Sequence, residues 1–415
     1  MYNQLNKFLG KHNIIHSHQF GFRKGHSTEH AILQITDQLK SSIDNKQITC
    51  GLFIDFSKAF DTVDHTILLN KLKKYGITGT SLLWFRNYLL NRSQYVKIGS
   101  CESKRQTMIC GVPQGSTLGP LLFLLYINDI PNCSTKLSFR LFADDTNIFL
   151  SCNNYDLLKQ TINEELQKVI HYCNINKLSI NFSKSNYMII SSSHKNVKDL
   201  DISNISRKSY VKYLGIYIDE HLTWYRQISH VNQKISKNIG ILYKLRHYVN
   251  LKTLFSLYYA LIYPYLIYGI MSWGNTYKGS LQKIVRKQNQ CIRCIFFLSK
   301  NENLEPYFKI SDILRLESVF QYKIAIFTKT LLTPNTMYPS AFNDIITPIS
   351  EIHNYNTRLS SKQNIFRPSI RTNYGKFTFK YTSSLIWQFV PDDLKSLPLK
   401  SFKSKLKKFL INCQN

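Results

Sequence analysis

Between His221 and Lys300 the chain has no acidic residue, although 12 Lys and Arg fall in that stretch. Acids are scarce throughout, 25 against 54 basic residues, for a net charge of +29 at pH 7. So lopsided a balance points to a polyanionic partner, either nucleic acid or an acidic membrane surface. A dense cysteine framework is also missing. Nine cysteines in 415 residues, odd in number and irregularly spaced, read as reduced thiols of an intracellular protein, with nucleus and cytoplasm both open. The first 20 residues contain no apolar run of the kind a secretory signal needs. No internal repeat and no low-complexity linker interrupts the chain. Hydrophobic residues make up 43% of it, which excludes disorder over most of the length. The length itself suggests two or three domains. Leu254–Gly274 carries no charge and is long enough to resemble a membrane span. Pro264 and five tyrosines break it up, so the reading is a buried helical hairpin and no membrane partner.

Periodicity supplies the elements. Ser27–Ile43 has one apolar helical face, with Ser27 or Thr28 as N-cap. Gly51–Ile54 reads as a buried strand ending at Asp55. Val63–Tyr75 reads as a helix stopped by Gly76. Tyr95–Gly99 and Gln106–Cys110 look like paired strands, and Pro120–Ile130 like an apolar helix. Leu137–Phe142 and Asn147–Leu150 flank Ala143-Asp144-Asp145-Thr146, which predicts a β-hairpin with acids at its tip. Asp156–Asn176 reads as an amphipathic helix, Tyr187–Ser191 and Tyr213–Asp219 as strands, and the remainder as mostly helical. The charge is uneven too. Met1–Leu150 has 17 basic and 10 acidic residues, whereas 356–415 has 12 basic residues against Asp392 and Asp393 alone.

Within this basic chain, Asp55, Asp144 and Asp145 stand at the ends of apolar runs. A solvated polar turn explains the Asp144–Asp145 pair equally well when it is taken alone. A carboxylate half-buried without a partner is costly, and three held together repel unless divalent cations lie between them. Oxygen-only ligands with several waters suit Mg²⁺, and two such ions are the apparatus of in-line phosphoryl transfer. Cys291 and Cys294 have the spacing of half a zinc site. No second pair follows, so both read as structural thiols.

Phe53-Ile54-Asp55-Phe56-Ser57-Lys58-Ala59-Phe60-Asp61 resembles motif A of the reverse transcriptases of non-LTR (LINE-type, jockey/CR1-like) retrotransposons. Gly111-Val112-Pro113-Gln114-Gly115-Ser116-Thr117-Leu118-Gly119-Pro120 resembles their motif B, and Phe142-Ala143-Asp144-Asp145 their F/Y-x-D-D box. Gln19-Phe20-Gly21-Phe22-Arg23-Lys24-Gly25-His26-Ser27-Thr28 resembles the upstream fingers segment, Leu178–Ser185 motif D, and Tyr213-Leu214-Gly215 the primer grip. All six follow the family's order. Asn356-Thr357-Arg358 and Trp387–Pro391 extend the resemblance toward the C-terminus.

The resemblance implies an α/β (α+β) right-hand polymerase with an antiparallel-sheet palm, partial fingers and a helical thumb. Its segments would be 1–50 (partial fingers), 51–219 (palm), 220–335 (basic thumb) and 336–415 (basic C-terminal region). The activity implied is RNA-directed DNA polymerisation, with RNA template, DNA primer and dNTP as partners and two Mg²⁺ ions, or Mn²⁺ in their place. Asp55, Asp144 and Asp145 would be catalytic and metal-binding, with Lys184 as general acid. Arg23, Lys24, Phe60, Gln114 and Gly115 would bind the dNTP, and Tyr213, Leu214 and Gly215 would grip the primer. Asp61 and Asp64 read instead as acids favoured at a helix N-terminus. The family carries a nuclease and more of the fingers ahead of this region, so an N-terminally truncated chain is expected. A silent fragment that only binds RNA or DNA is one alternative, and a group II intron-type maturase another.

Overall fold

The computed structural model describes residues 1–195, 197–202, 204–352 and 364–414. The motif at Asn356–Arg358 lies outside them. Helices α1 (Tyr2–Lys11) and α2 (Thr28–Asp44) lead into strand β1 (Ile48–Ile54). Helices α3 (His65–Lys74) and α4 (Gly79–Leu89) come next, then four two-residue strands: β2 (Ser93–Gln94), β3 (Lys97–Ile98), β4 (Cys101–Glu102) and β5 (Gln106–Thr107). After α5 (Gly119–Ile127) run β6 (Ser138–Phe142), β7 (Asp145–Cys152), α6 (Tyr155–Ile175), β8 (Asn186–Ile190) and β9 (Ser206–Arg207). Strands β10 (Tyr210–Tyr213) and β11 (Ile216–Asp219) precede a helical remainder.

Contacts sort the chain into two units. The first contains Met1–Thr28, Gln47–Ile189 and Lys195–Lys208; the second contains Glu29–Lys46, Ile190–His194 and Ser209–Asn415. The first is mixed α/β around a five-stranded sheet of order β6-β7-β1-β8-β9. β7 pairs antiparallel with both β1 and β6, and β8 runs parallel to β9. In β1, six of the seven residues are buried, as a strand covered on both faces requires. Every residue of α5 except Pro120 is buried, so this helix has no solvent face and can only be core.

In the second unit the longest helices are α7 (Tyr225–Leu245), α11 (Lys278–Phe296) and α12 (Leu316–Leu332). The uncharged run 254–274 folds as α8 (Leu251–Leu261), α9 (Tyr263–Ile267) and α10 (Ile270–Trp273), with Pro264 in the first turn of α9. Among the described residues no helix is long and apolar enough to cross a membrane. Lys40 of α2 is buried and donates to the carbonyls of Ser272 and Phe377, each at 2.9 Å.

Two strand expectations need correction. Tyr95–Gly99 and Gln106–Cys110 do not form one ladder: Ser93–Gln94 pairs with Gln106–Thr107, and Lys97–Ile98 pairs with Cys101–Glu102. All eight residues are exposed, so no buried face fixes their register. Tyr213–Asp219 is not one strand either. Leu214 and Gly215 have φ of +44° and +86° and turn the chain between β10 and β11. A left-handed pair ending in glycine is a favoured hairpin turn.

Candidate active site

The acidic hairpin is built as its sequence suggests and then clamped from outside. Phe142 pairs with Asp145, leaving a two-residue turn, Ala143-Asp144. Ala143 takes φ +55°, a conformation that a Cβ penalises. Segment 18–21 lies along β6: the Leu141 amide donates to the His18 carbonyl (3.0 Å) and the Phe20 amide to the Leu141 carbonyl (2.8 Å). The buried Gln19 Oε1 accepts from the amides of both Ala143 (3.0 Å) and Gly21 (2.8 Å). Gly21 is glycine for space, because a Cβ there would stand 2.5 Å from the Ala143 nitrogen.

Ile54 pairs with Thr146, so Asp55 leaves the sheet level with Asp145. The motif D segment holds its backbone. The Asp55 amide donates to Ser185 Oγ at 3.1 Å, and its carbonyl accepts from the Asn181 amide at 2.8 Å. Ser185 is itself buried and donates to the Asn181 carbonyl at 2.8 Å. The acids sense one another. Burial raises the Asp144 carboxyl, with Asp55 adding to the rise. Burial, then Asp144, then Asp55 push Asp145 up to about 6.

Among the described residues, no three His, Cys, Asp or Glu side chains form a ready-made metal cage. Mg²⁺ does not need one, since it commonly takes one or two carboxylates together with waters and substrate phosphates. Three carboxylates brought to one end of the sheet offer the all-oxygen, anionic donor set such an ion takes. The residues therefore fit it as ligands to be completed by substrate.

The loop before α5 is tied to the turn after Asp55. The Val112 amide donates to the Phe60 carbonyl (2.9 Å) and the Gly111 amide to the Val63 carbonyl (2.8 Å). Gln114 and Gly115 are exposed, and Gln114 Nε2 donates to Asp61 Oδ1 at 2.8 Å. The Phe60 ring stacks on Phe123 with centroids 4.4 Å apart. Asp64 caps α3, accepting from the Ile67 amide at 2.9 Å, and pairs with Lys177 at 2.6 Å. Lys184 is exposed.

Arg23 is half-buried, and its Nη1 donates to the carbonyls of His16 (2.9 Å) and Gln19 (3.1 Å). It thus braces the segment that clamps the hairpin, while Lys24 is exposed. In the second unit, Tyr213, Leu214 and Gly215 form the β10–β11 tip, where the Tyr268 hydroxyl donates to the Leu214 carbonyl at 2.5 Å. Cys291 and Cys294 are buried in α11, which raises both thiols.

Reading the sequence for chemistry misses Gln19, Gly21, Asn181 and Ser185. They hold the acids through the backbone and carry no charge that would draw notice. Their presence inside the fingers-like and motif D-like segments is the one available signal.

Residues 1–218, just over half of the chain, match the family described as reverse transcriptase (RNA-dependent DNA polymerase). The probable RNA-directed DNA polymerase from transposon BS of Drosophila melanogaster is 29% identical over 316 residues, covering 71% of this chain and 34% of that protein. Its counterpart from transposon X-element of the same species is 28% identical over 313 residues, covering 72% and 34%. The RNA-directed DNA polymerase from mobile element jockey, also of Drosophila melanogaster, is 26% identical over 289 residues, covering 67% and 31%. The chain thus spans about a third of the length of these relatives. Among solved structures, telomerase from Candida albicans in complex with a TWJ fragment of telomeric RNA is similar over 75% of this chain and 57% of that one, at 11% identity and a TM-score of 0.44.

Proposed function

Because the chain belongs to the reverse transcriptase (RNA-dependent DNA polymerase) family, we propose that it is the polymerising part of a non-LTR retrotransposon protein, extending a DNA primer along an RNA template. The observation that carries this is the convergence of Asp55 with Asp144 and Asp145: the Ile54–Thr146 pair sets Asp55 beside the hairpin acids, and its charge adds to the rise of both their carboxyls. On this reading the first unit supplies palm and partial fingers in a right-hand arrangement, 220–335 is the thumb, and 336–415 is a basic C-terminal region.

Asp55 and Asp144 would hold the cations, with Asp145 in support. Bound Mg²⁺, or Mn²⁺ in its place, would activate the primer 3′-hydroxyl and stabilise the charge on pyrophosphate. The Phe60 ring, backed by Phe123, lies under the incoming sugar and excludes a 2′-hydroxyl. Gln114 and Gly115 contact the nucleotide and template base. Lys24 offers charge to the triphosphate, and Arg23 shapes the loop that presents it. Lys184 protonates the leaving pyrophosphate. Tyr213, Leu214 and Gly215 hold the primer strand, and the acid-free stretch 221–300 follows the nucleic-acid backbone by charge.

Primer extension on an RNA template tests this. The wild-type chain incorporates dNTP and Asp144→Ala does not. Equal incorporation by both proteins, or none by the wild type with RNA binding retained, rejects it; the latter outcome marks a silent binding fragment.

A further inference from the structure

The stretch between the first catalytic acid and the Gln114 loop contains a surface that none of the roles above uses. On α4 the exposed Trp84 ring stacks on Tyr88, centroids 5.4 Å apart and planes 9° from parallel. The Arg92 guanidinium continues that column, 5.4 Å from the Tyr88 centroid. A second aromatic–guanidinium pair lies on the projecting hairpins, with Arg105 5.2 Å from the exposed Tyr95 ring. Arg92 also lines a cavity of about 640 Å³ together with Gln94, Gln106, Asp61 and Gln114. The column therefore runs into the loop that the proposed function places at the nucleotide.

From Trp84 to Ile109 there are five basic residues, Arg86, Arg92, Lys97, Lys104 and Arg105, against one acid, Glu102. Glu102 is taken up by Lys97 at 2.8 Å. Flat exposed rings with cations on or near their faces fit an anionic chain that itself carries flat rings. Each unpaired base can continue the stack while its phosphate meets a guanidinium. The glutamine amides of the cavity can donate to and accept from base edges.

We infer that this arm binds unpaired nucleic acid, the single-stranded template ahead of the paired region, by stacking its bases on the Trp84–Tyr88–Arg92 column and on Tyr95–Arg105. This rests on the polymerase reading for the identity of the strand, but not for the binding itself.

The protein contains its own probe. Of its four tryptophans, Trp224, Trp273 and Trp387 are fully buried and Trp84 is 38% exposed. The full 415-residue chain, without metal or dNTP, is titrated with oligoadenylate of about 12 nucleotides, in ribo and deoxy forms, and with a duplex of the same length. Tryptophan emission is expected to fall with the single strands and to hold with the duplex. A fall with both sugars assigns it to the shared stacking chemistry, and a fall with RNA alone to a template-specific contact. Trp84→Phe binds as the wild type does but loses the fall.

The double variant Arg92→Gln, Arg105→Gln, checked for native circular dichroism, has its single-strand dissociation constant raised about 5- to 100-fold, the equivalent of one lost stacked base. Binding with unchanged emission, an equal fall with the duplex, or wild-type affinity in the double variant overturns the inference. So does emission that follows protein concentration rather than oligonucleotide, the mark of a second copy docking there. Asp144→Ala keeps the fall. Loss of extension with the fall intact thus rejects the polymerase reading alone, and extension without it rejects this inference alone.

Discussion

The β6–β7 turn and the β10–β11 turn are the same length and are held in different ways. In the first, of the two turn residues only Ala143 has positive φ; in the second, Leu214 and Gly215 both do. An alanine where the turn type asks for glycine persists only if its surroundings over-determine it. Gln19, Gly21 and the Leu141 ladder do that from three sides. The second turn has a glycine at one of its two left-handed positions and Leu214 at the other, whose carbonyl the Tyr268 hydroxyl reaches. Each turn thus holds one non-glycine residue at positive φ, but the turn with the acids is braced from outside on three sides, while the turn without them has a glycine and a single hydroxyl.

The largest expected difference between the two is chemical. Asp144→Asn lowers single-turnover incorporation at least about a hundredfold, whereas Gly215→Ala lowers it only as far as it weakens primer binding. Rapid-quench extension at saturating primer separates the two. A smaller drop for Asp144→Asn than for Gly215→Ala breaks the comparison.

Next come the two glycines, needed for different reasons. Gly21→Ala forces the hairpin aside and costs about 1–3 kcal/mol by overpacking. Gly215→Ala has room, its Cβ reaching the Tyr268 ring at 3.4 Å, and costs about 1–2 kcal/mol through its left-handed φ alone. Urea midpoints measure both, and incorporation falls further in Gly21→Ala at matched stability.

The bracing hydrogen bonds follow. Gln19→Leu strands two buried amides, at about 1–3 kcal/mol each. Tyr268→Phe removes one bond, at about 0.5–1.5 kcal/mol. Equal losses would mean that the first turn has no special support.

The last effect is on pH dependence and vanishes near neutrality. Burial first, then Arg140 and His16, pulls His18 from 6.5 down to about 3. The unfolded chain takes up a proton below pH 6.5 that the folded chain refuses, so stability present above 6.5 drains away as pH falls toward 3. His18→Gln cannot titrate. Its melting temperature should match the wild type near pH 7.5 and exceed it progressively below 6.5; a constant offset would contradict the assignment.

Much of the first unit was legible. The apolar run ending at Asp55, the paired runs around Asp144 and the all-apolar α5 are local patterns that burial enforces over five to nine residues. The arm at 93–107 was not, because exposed two-residue ladders leave no alternation to read. Nor were the clamps. The bonds from Gln19 to Ala143 and from Asp55 to Ser185 span 124 and 130 positions, and nothing local marks either end. Arg23 reads from the sequence as a dNTP ligand; its two backbone carbonyl contacts depend on a loop path that periodicity does not describe.

Cation binding tests the central claim most directly. Mn²⁺ is titrated into the full chain at pH 7.5 with primer–template and dNTP present, and free ion is read by electron paramagnetic resonance. Asp55→Asn and Asp144→Asn should each weaken the uptake about tenfold or more, the loss of one charged ligand from an oxygen site, while Asp61→Asn leaves it unchanged. Uptake insensitive to residues 55 and 144, or equally sensitive to residue 61, would contradict the account.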